Sequence, residues 1–83
     1  MSAVRGVVEV LARALTSTPE QVHVVESEHR GTTLVELYVA PGELGRVIGK
    51  QGRTAAALRT LASAAGEKEG KASVTLEIRD GKP

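Results

Sequence analysis

Apolar residues recur along the first fifteen positions at helical spacing. Val4, Val7, Val8, Leu11 and Leu15 fall on one face of a 3.6-residue repeat. This predicts a helix over 1–15, closed by Thr16-Ser17-Thr18-Pro19, because proline and the residue before it resist helical continuation. Ser17 and Glu20 have capping-box spacing, but Pro19 and the valine-rich run beyond make this segment a turn. The period then changes to two. Residues 22–28 and 34–39 read as strands joined by a turn at Glu28-His29-Arg30-Gly31-Thr32, an antiparallel hairpin over 22–39. Val35, Leu37 and Val39 take one face of the second strand, and Leu34, Glu36 and Tyr38 the other.

Ala40-Pro41-Gly42 breaks the strand, and helical spacing resumes. A short helix over 43–48 ends at Gly49, and a second over 53–65 turns Ala55, Leu58, Leu61, Ala62 and Ala65 inward. Residues 66–71 read as a charged loop bounded by glycines. Over 72–79, Ala72, Val74, Leu76 and Ile78 alternate with polar residues as a strand, and 80–83 form a tail. The order is α-β-β-α-α-β. Two helices between the second and third strands make those strands parallel neighbours through a right-handed crossover. The expectation is an α+β fold, one domain over 1–83, with a three-stranded mixed sheet and three helices on one face. Leu34 and Tyr38 then lie opposite the core, exposed or against another chain, which makes a homodimer or partner surface plausible.

Composition narrows the function classes. Of 83 residues, 41% are apolar, yet the only aromatic is Tyr38, so base-stacking platforms are essentially missing. Cysteine is absent, and His23 and His29 stand apart without companion ligands, so neither a disulfide nor a metal site is expected, nor any cofactor. No run approaches a membrane span and no signal-peptide core is seen, so a cytoplasmic protein without membrane attachment is expected. Net charge is only +1, but unevenly distributed. Up to residue 45, three arginines face six glutamates; beyond it, eight Lys and Arg face four Asp and Glu. That asymmetry suits a polyanionic partner.

The sign changes at Gly45-Arg46-Val47-Ile48-Gly49-Lys50-Gln51-Gly52-Arg53. Glycines bracketing Lys50 and Gln51 give a turn whose backbone can approach a ligand closely. The following helix aims its free N–H groups and positive dipole end at the same place. Arg46, Lys50 and Arg53 surround it. Of the two apolar neighbours, Ile48 is expected mainly in the core and Val47 shared with a groove. Arg46 and Arg53 have two readings, phosphate contacts or solvated helix-end charges, and so has Arg59 further along; Gln51 can equally be a polar residue tolerated at a turn.

The element order, with Val47-Ile48-Gly49-Lys50-Gln51-Gly52, resembles a KH domain of the second, prokaryotic topology (type II). Ala40-Pro41, Leu44-Gly45-Arg46-Val47-Ile48-Gly49-Lys50-Gln51-Gly52-Arg53-Thr54 and Ala57-Leu58-Arg59 resemble the KhpA family of small bacterial RNA-binding proteins, over nearly the whole chain. The resemblance implies binding of single-stranded nucleic acid, mainly RNA but also single-stranded DNA, in a groove for about four nucleotides. It implies that Gly49, Lys50, Gln51 and Gly52 contact the sugar-phosphate backbone and that Leu44, Val47 and Ile48 border the surface under the bases. It also implies that the edge of the second strand reads bases and that the 66–71 loop reaches the same strand of RNA. A homodimer or a KhpB-like partner, RNA chaperoning, and a role in cell-wall synthesis and cell shape are implied likewise.

Two other classes stand beside this one. An enzyme is suggested by the likeness of Gly45–Lys50 to a P-loop, but the motif is one residue short, Gln51 replaces the Ser or Thr, and no nucleophile–base pair accompanies it, so the expectation is no enzyme. A protein-interaction module would keep the turn and work through Leu34, Tyr38 and the helices.

Overall fold

The structure is a computed structural model and describes residues 2–83; Met1, placed in the first helix by the spacing, lies outside them. The chain runs α1 (Ala3–Leu15), a 3-10 turn (Pro19–Gln21), β1 (His23–His29), β2 (Thr32–Val39), α2 (Leu44–Ile48), a second 3-10 turn (Lys50–Gly52), α3 (Arg53–Lys68) and β3 (Ser73–Asp80). This is the expected α-β-β-α-α-β order. No described helix is long and apolar enough to cross a membrane.

β1 pairs antiparallel with β2, Val24 opposite Leu37, and β2 pairs parallel with β3, Val35 opposite Leu76. The hairpin closes through Arg30 and Gly31, both at positive φ, as a two-residue turn whose twist matches the strands. Sheet order is β1-β2-β3, so the strand between the other two is β2. This corrects one expectation. The second strand has ladder partners on both sides and no free edge; the open edges belong to β1 and β3.

Alternate residues of the strands and one stripe of each helix meet in a single core. Val4, Val8 and Ala12 of α1 join Val24, Val35, Leu37, Val39, Val47, Leu58, Ala62 and Leu76 there. With no ring to fill space, the core is a close fit of small aliphatic side chains, its valines and leucines each contributing roughly 1.5–3 kcal/mol when fully buried. The helical stripes sit slightly off the expected ones. On α3 the buried row is Ala55, Leu58, Ala62 and Gly66, while Leu61, expected inward, is 46% exposed. From Leu58 both i+3 and i+4 satisfy the period, and packing selects i+4.

α3 also runs three residues further than expected. Gly66 does not end it. That glycine is buried within the helix, where a Cβ would collide with Val74 Cγ2 and lie 3.5 Å from Val4 Cγ2. The helix stops at Gly70, whose φ of 78° is the left-handed residue of a Schellman cap. Lys71 N–H donates to the Gly66 carbonyl at 2.9 Å and Gly70 N–H to that of Glu67 at 3.0 Å. One glycine serves packing and the other termination.

On the outer face of the sheet, Tyr38 and Leu34 are half-buried rather than open. The Tyr38 hydroxyl donates to Glu36 Oε2 at 3.2 Å, and Arg79 Nε reaches the same oxygen at 3.2 Å. Among the described residues the most exposed large apolar side chain is instead Val10 of α1, at 67%.

Candidate nucleic-acid interface

The site is built where α2, the glycine turn and α3 meet. α2 ends at Gly49, whose N–H donates to the Gly45 carbonyl at 2.9 Å. Gly49 then adopts φ 76°, ψ 173°, Gln51 enters the left-handed region at φ 57°, and Gly52 follows at φ 72°. The turn closes by Gly52 N–H donating to the Gly49 carbonyl at 3.1 Å. Gly52 offers α3 no capping side chain. The first N–H groups of this sixteen-residue helix therefore have no side-chain cap, at the positive end of its dipole. A backbone that can be approached and a helix end without a side-chain cap together suit a phosphate.

Lys50 and Gln51 stand exposed at the tip. Lys50 enters none of the ion pairs or side-chain hydrogen bonds found among the described residues, so its ammonium is free for an anion. Arg53 Nη2 donates to Gln51 Oε1 at 2.9 Å, which holds both side chains over the turn. Arg46 is tethered: its Nε lies 3.5 Å from Glu43 Oε2. Lys50, Arg46 and Arg53 flank the turn, the first free, the second paired with a carboxylate and the third bonded to an amide.

In the sequence Glu43 carries no signal beyond opening the predicted helix over 43–48. It sits just before α2 and ties that helix to the end of α1. Glu43 Oε1 accepts from Thr16 Oγ1 at 2.6 Å and from the Ser17 N–H at 2.7 Å. These bonds, Thr16's first, with a smaller contribution from Arg46, lower its pKa from 4.5 to about 2. A depressed carboxylate contributes stability that is complete above about pH 4.5 and lost as pH falls through about 2. Glu43→Gln keeps an acceptor for Thr16 and Ser17 but cannot titrate. Acid titrations followed by circular dichroism should therefore show a shallower loss of stability between these values in the variant than in the parent. Superimposable curves would remove Glu43 from the acid response.

The two apolar neighbours exchange their expected places. Val47 is fully buried among core residues and Ile48 is 37% exposed. Val47 is thereby corrected from a groove contact to a core residue, and Ile48 from the core to the surface. In a helix of five residues, only one of two consecutive side chains can face the sheet, and here it is Val47. Leu44, four positions before Ile48, is partly buried against the core. Leu44 and Ile48 are thus the apolar side chains beside the turn.

The charged loop is not at the turn. It lies at the far end of α3, about 24 Å away at 1.5 Å per residue. Its Lys71 is engaged with β1, 3.3 Å from Glu28 and 3.8 Å from Glu26. The bond with Glu28 raises the Lys71 pKa, while Thr33 and then Lys71 lower that of Glu28. Both changes favour the charged pair.

Relatives agree with this architecture. A family profile described as the KH domain of KhpA/KhpB matches residues 5–78. The chain is 51% identical over 78 residues to the RNA-binding protein KhpA of Aquifex aeolicus, covering 94% of this chain and 98% of that one. It is 46% identical over 74 residues to the RNA-binding protein KhpA of Clostridium perfringens, covering 89% and 97%. Among solved structures, Aquifex aeolicus Era bound to GDP·AlF4− aligns with a TM-score of 0.67 at 18% identity, over 95% of this chain and 31% of that one. Era in complex with MgGDPNP and nucleotides 1506–1542 of 16S ribosomal RNA aligns at 0.65 and 22% identity, over 93% and 29%. At those identities the likeness to Era concerns the fold. The profile match and the near full-length identities go further: this chain belongs to the KhpA/KhpB family of KH domains.

Proposed function

We infer that this chain is a single-stranded RNA-binding protein, not an enzyme, which holds a short stretch of RNA at the Gly49–Gly52 turn. The observation that carries the reading is the free Lys50 beside the uncapped start of α3. The names of the relatives, RNA-binding protein KhpA, support the same ligand. Lys50 supplies direct neutralisation of phosphate, Arg53 and Arg46 flank it, and Leu44 and Ile48 border the bases. Gly49 and Gly52 let the strand approach the backbone. Single-stranded DNA is the weaker ligand in this reading.

Three cations give a monomer a modest grip, on the order of micromolar at physiological salt. Useful affinity then comes from a second RNA-binding surface brought by a homodimer or a KhpB-like partner, acting through effective concentration. The exposed Val10 and Leu61 are apolar surface available for such assembly. An RNA chaperone or post-transcriptional regulator in the cytoplasm, linked to cell-wall synthesis and cell shape, is the role consistent with the family. The same exposed side chains favour the second reading, a protein-interaction module with degenerate RNA binding.

Fluorescence anisotropy of a labelled single-stranded RNA at several salt concentrations separates the two. RNA binding through three cations gives a slope of log affinity against log salt near −2, at about 0.7 per phosphate for single strands. Absence of binding at all salt concentrations would give precedence to the protein-interaction reading.

A further inference from the structure

α2 is too short to hold itself in place. It has five residues, and isolated helices shorter than about 12–15 are marginal in water. Its inward anchor is Val47, fully buried in the core. A second anchor lies at its start, where the main chain of Glu43 opens the helix and the side chain leaves it. The Arg46 N–H donates to the Glu43 carbonyl at 3.0 Å, but the carboxylate makes no cap to α2. It crosses instead to the end of α1, where Thr16 Oγ1 and the Ser17 N–H both donate to Oε1. Thr16 is itself held firmly. It is buried, and its N–H donates at 3.0 Å to the carbonyl of Ala12, a core residue. The tie therefore runs from a well-packed helix to a short one. At the other end of α2, the Gly49 N–H is bonded to the Gly45 carbonyl, so the seat of α2 decides where the turn begins.

We propose that Glu43 is a positioning residue for RNA binding, tying α2 to the end of α1 so that RNA meets the Gly49–Gly52 turn already in place. This rests on the reading of the turn as an RNA clamp. The charge of Glu43 speaks against a direct role, because a carboxylate beside a polyanion repels it. Its second oxygen, Oε2, lies 3.5 Å from Arg46 Nε and so competes with phosphate for a cation of the site. By electrostatics alone, a glutamate here weakens the grip on RNA. Its two bonds to α1 act in the other direction. They fix α2 before the ligand arrives, and a site ordered in advance loses less affinity to ordering on binding. Without them α2 hinges on Val47, and RNA has to bring the turn into register as it binds.

The test removes the tie from either side and reads affinity for a labelled single-stranded RNA by anisotropy, at a temperature where circular dichroism shows every variant folded. Glu43→Ala removes charge and tie together, whereas Glu43→Gln removes the charge and keeps an acceptor for Thr16 and Ser17. Thr16→Val removes one donor of the tie and leaves the charges of the RNA site unaltered; Thr16→Ser keeps the hydroxyl. Affinity should fall by about twofold to tenfold in Glu43→Ala and in Thr16→Val, the range for ordering one loosened side chain. The salt slope of Thr16→Val should stay that of the parent. Thr16→Ser should bind as the parent does, and Glu43→Gln at least as tightly. The double variant Glu43→Ala/Thr16→Val should lose no more than Glu43→Ala alone, since both changes cut one tie. Tighter binding by Glu43→Ala and Glu43→Gln alike is the electrostatic result and overturns the proposal. Equal affinity in all variants overturns it as well, while leaving the clamp intact. If the parent binds no RNA, the clamp itself fails and the proposal with it.

Discussion

A chain carrying Lys50→Asp and Gln51→Asp should fold as the parent does and lose its hold on single-stranded RNA. Both positions are exposed at the tip of the turn, and neither contributes to the core. Gln51 sits at φ 57°, a left-handed conformation that aspartate tolerates better than most residues. An aspartate at 51 also keeps a carboxylate oxygen near Arg53, in place of the amide oxygen bonded now. The fold therefore has little reason to respond. The ligand has a strong one, because the only cation at the tip is replaced and two negative charges face the phosphates. Loss of one contact costs about 0.7 in log affinity per decade of salt, and repulsion adds to it, so a drop on the order of tenfold or more is expected. Anisotropy measures it, with circular dichroism to confirm the fold. Unchanged affinity would place the RNA elsewhere on the molecule.

Gly49→Ala should do more damage, to stability and binding together. At φ 76° and ψ 173°, Gly49 occupies a region essentially reserved for glycine, and an L-residue there is strained by about 1–3 kcal/mol. There is no room either: a Cβ would collide with Thr54 Oγ1 and come within 2.7 Å of Thr54 Cβ and 3.0 Å of its backbone nitrogen. Overpacking of this kind costs a further 1–3 kcal/mol. The strain falls on the first turn of α3, where the phosphate is to be held. For a domain of this size the melting temperature should fall on the order of 10 °C or more. Gly52→Ala is the internal comparison. Its φ is 72°, but a Cβ there meets nothing within 4 Å, so only the conformational cost of about 1–2 kcal/mol applies. Thermal denaturation of the two variants should rank Gly49→Ala well below Gly52→Ala. Equal melting temperatures would mean that Thr54 moves aside without cost.

Much of this was legible in the amino-acid sequence because the signals are local. The switch from a period of 3.6 to 2 and back gives the element order. Glu28-His29-Arg30-Gly31-Thr32 marks the hairpin, and Gly49-Lys50-Gln51-Gly52 with its flanking cations marks the turn between two helices. The steric partner of Gly49 was not legible. Thr54 stands five residues on, and only the path of the turn brings its side chain over the glycine. Glu43 was equally hidden, since its partners Thr16 and Ser17 lie more than twenty-five residues earlier in the chain.

The sequence by itself determined the succession of helices and strands, the apolar face of the second and third strands and the cationic glycine turn. Each follows from side-chain period or backbone freedom within a few residues. Only the tertiary structure decided that Val47 is buried and Ile48 exposed, that α3 turns Ala62 rather than Leu61 to the core, and that Gly66 packs while Gly70 terminates. It alone brought Arg59 of α3 against the Leu76 carbonyl at the open edge of β3. A helical repeat fixes an inward direction only to within one neighbouring position. Long-range side-chain contacts depend on segments distant in sequence, so packing of the whole chain settles them.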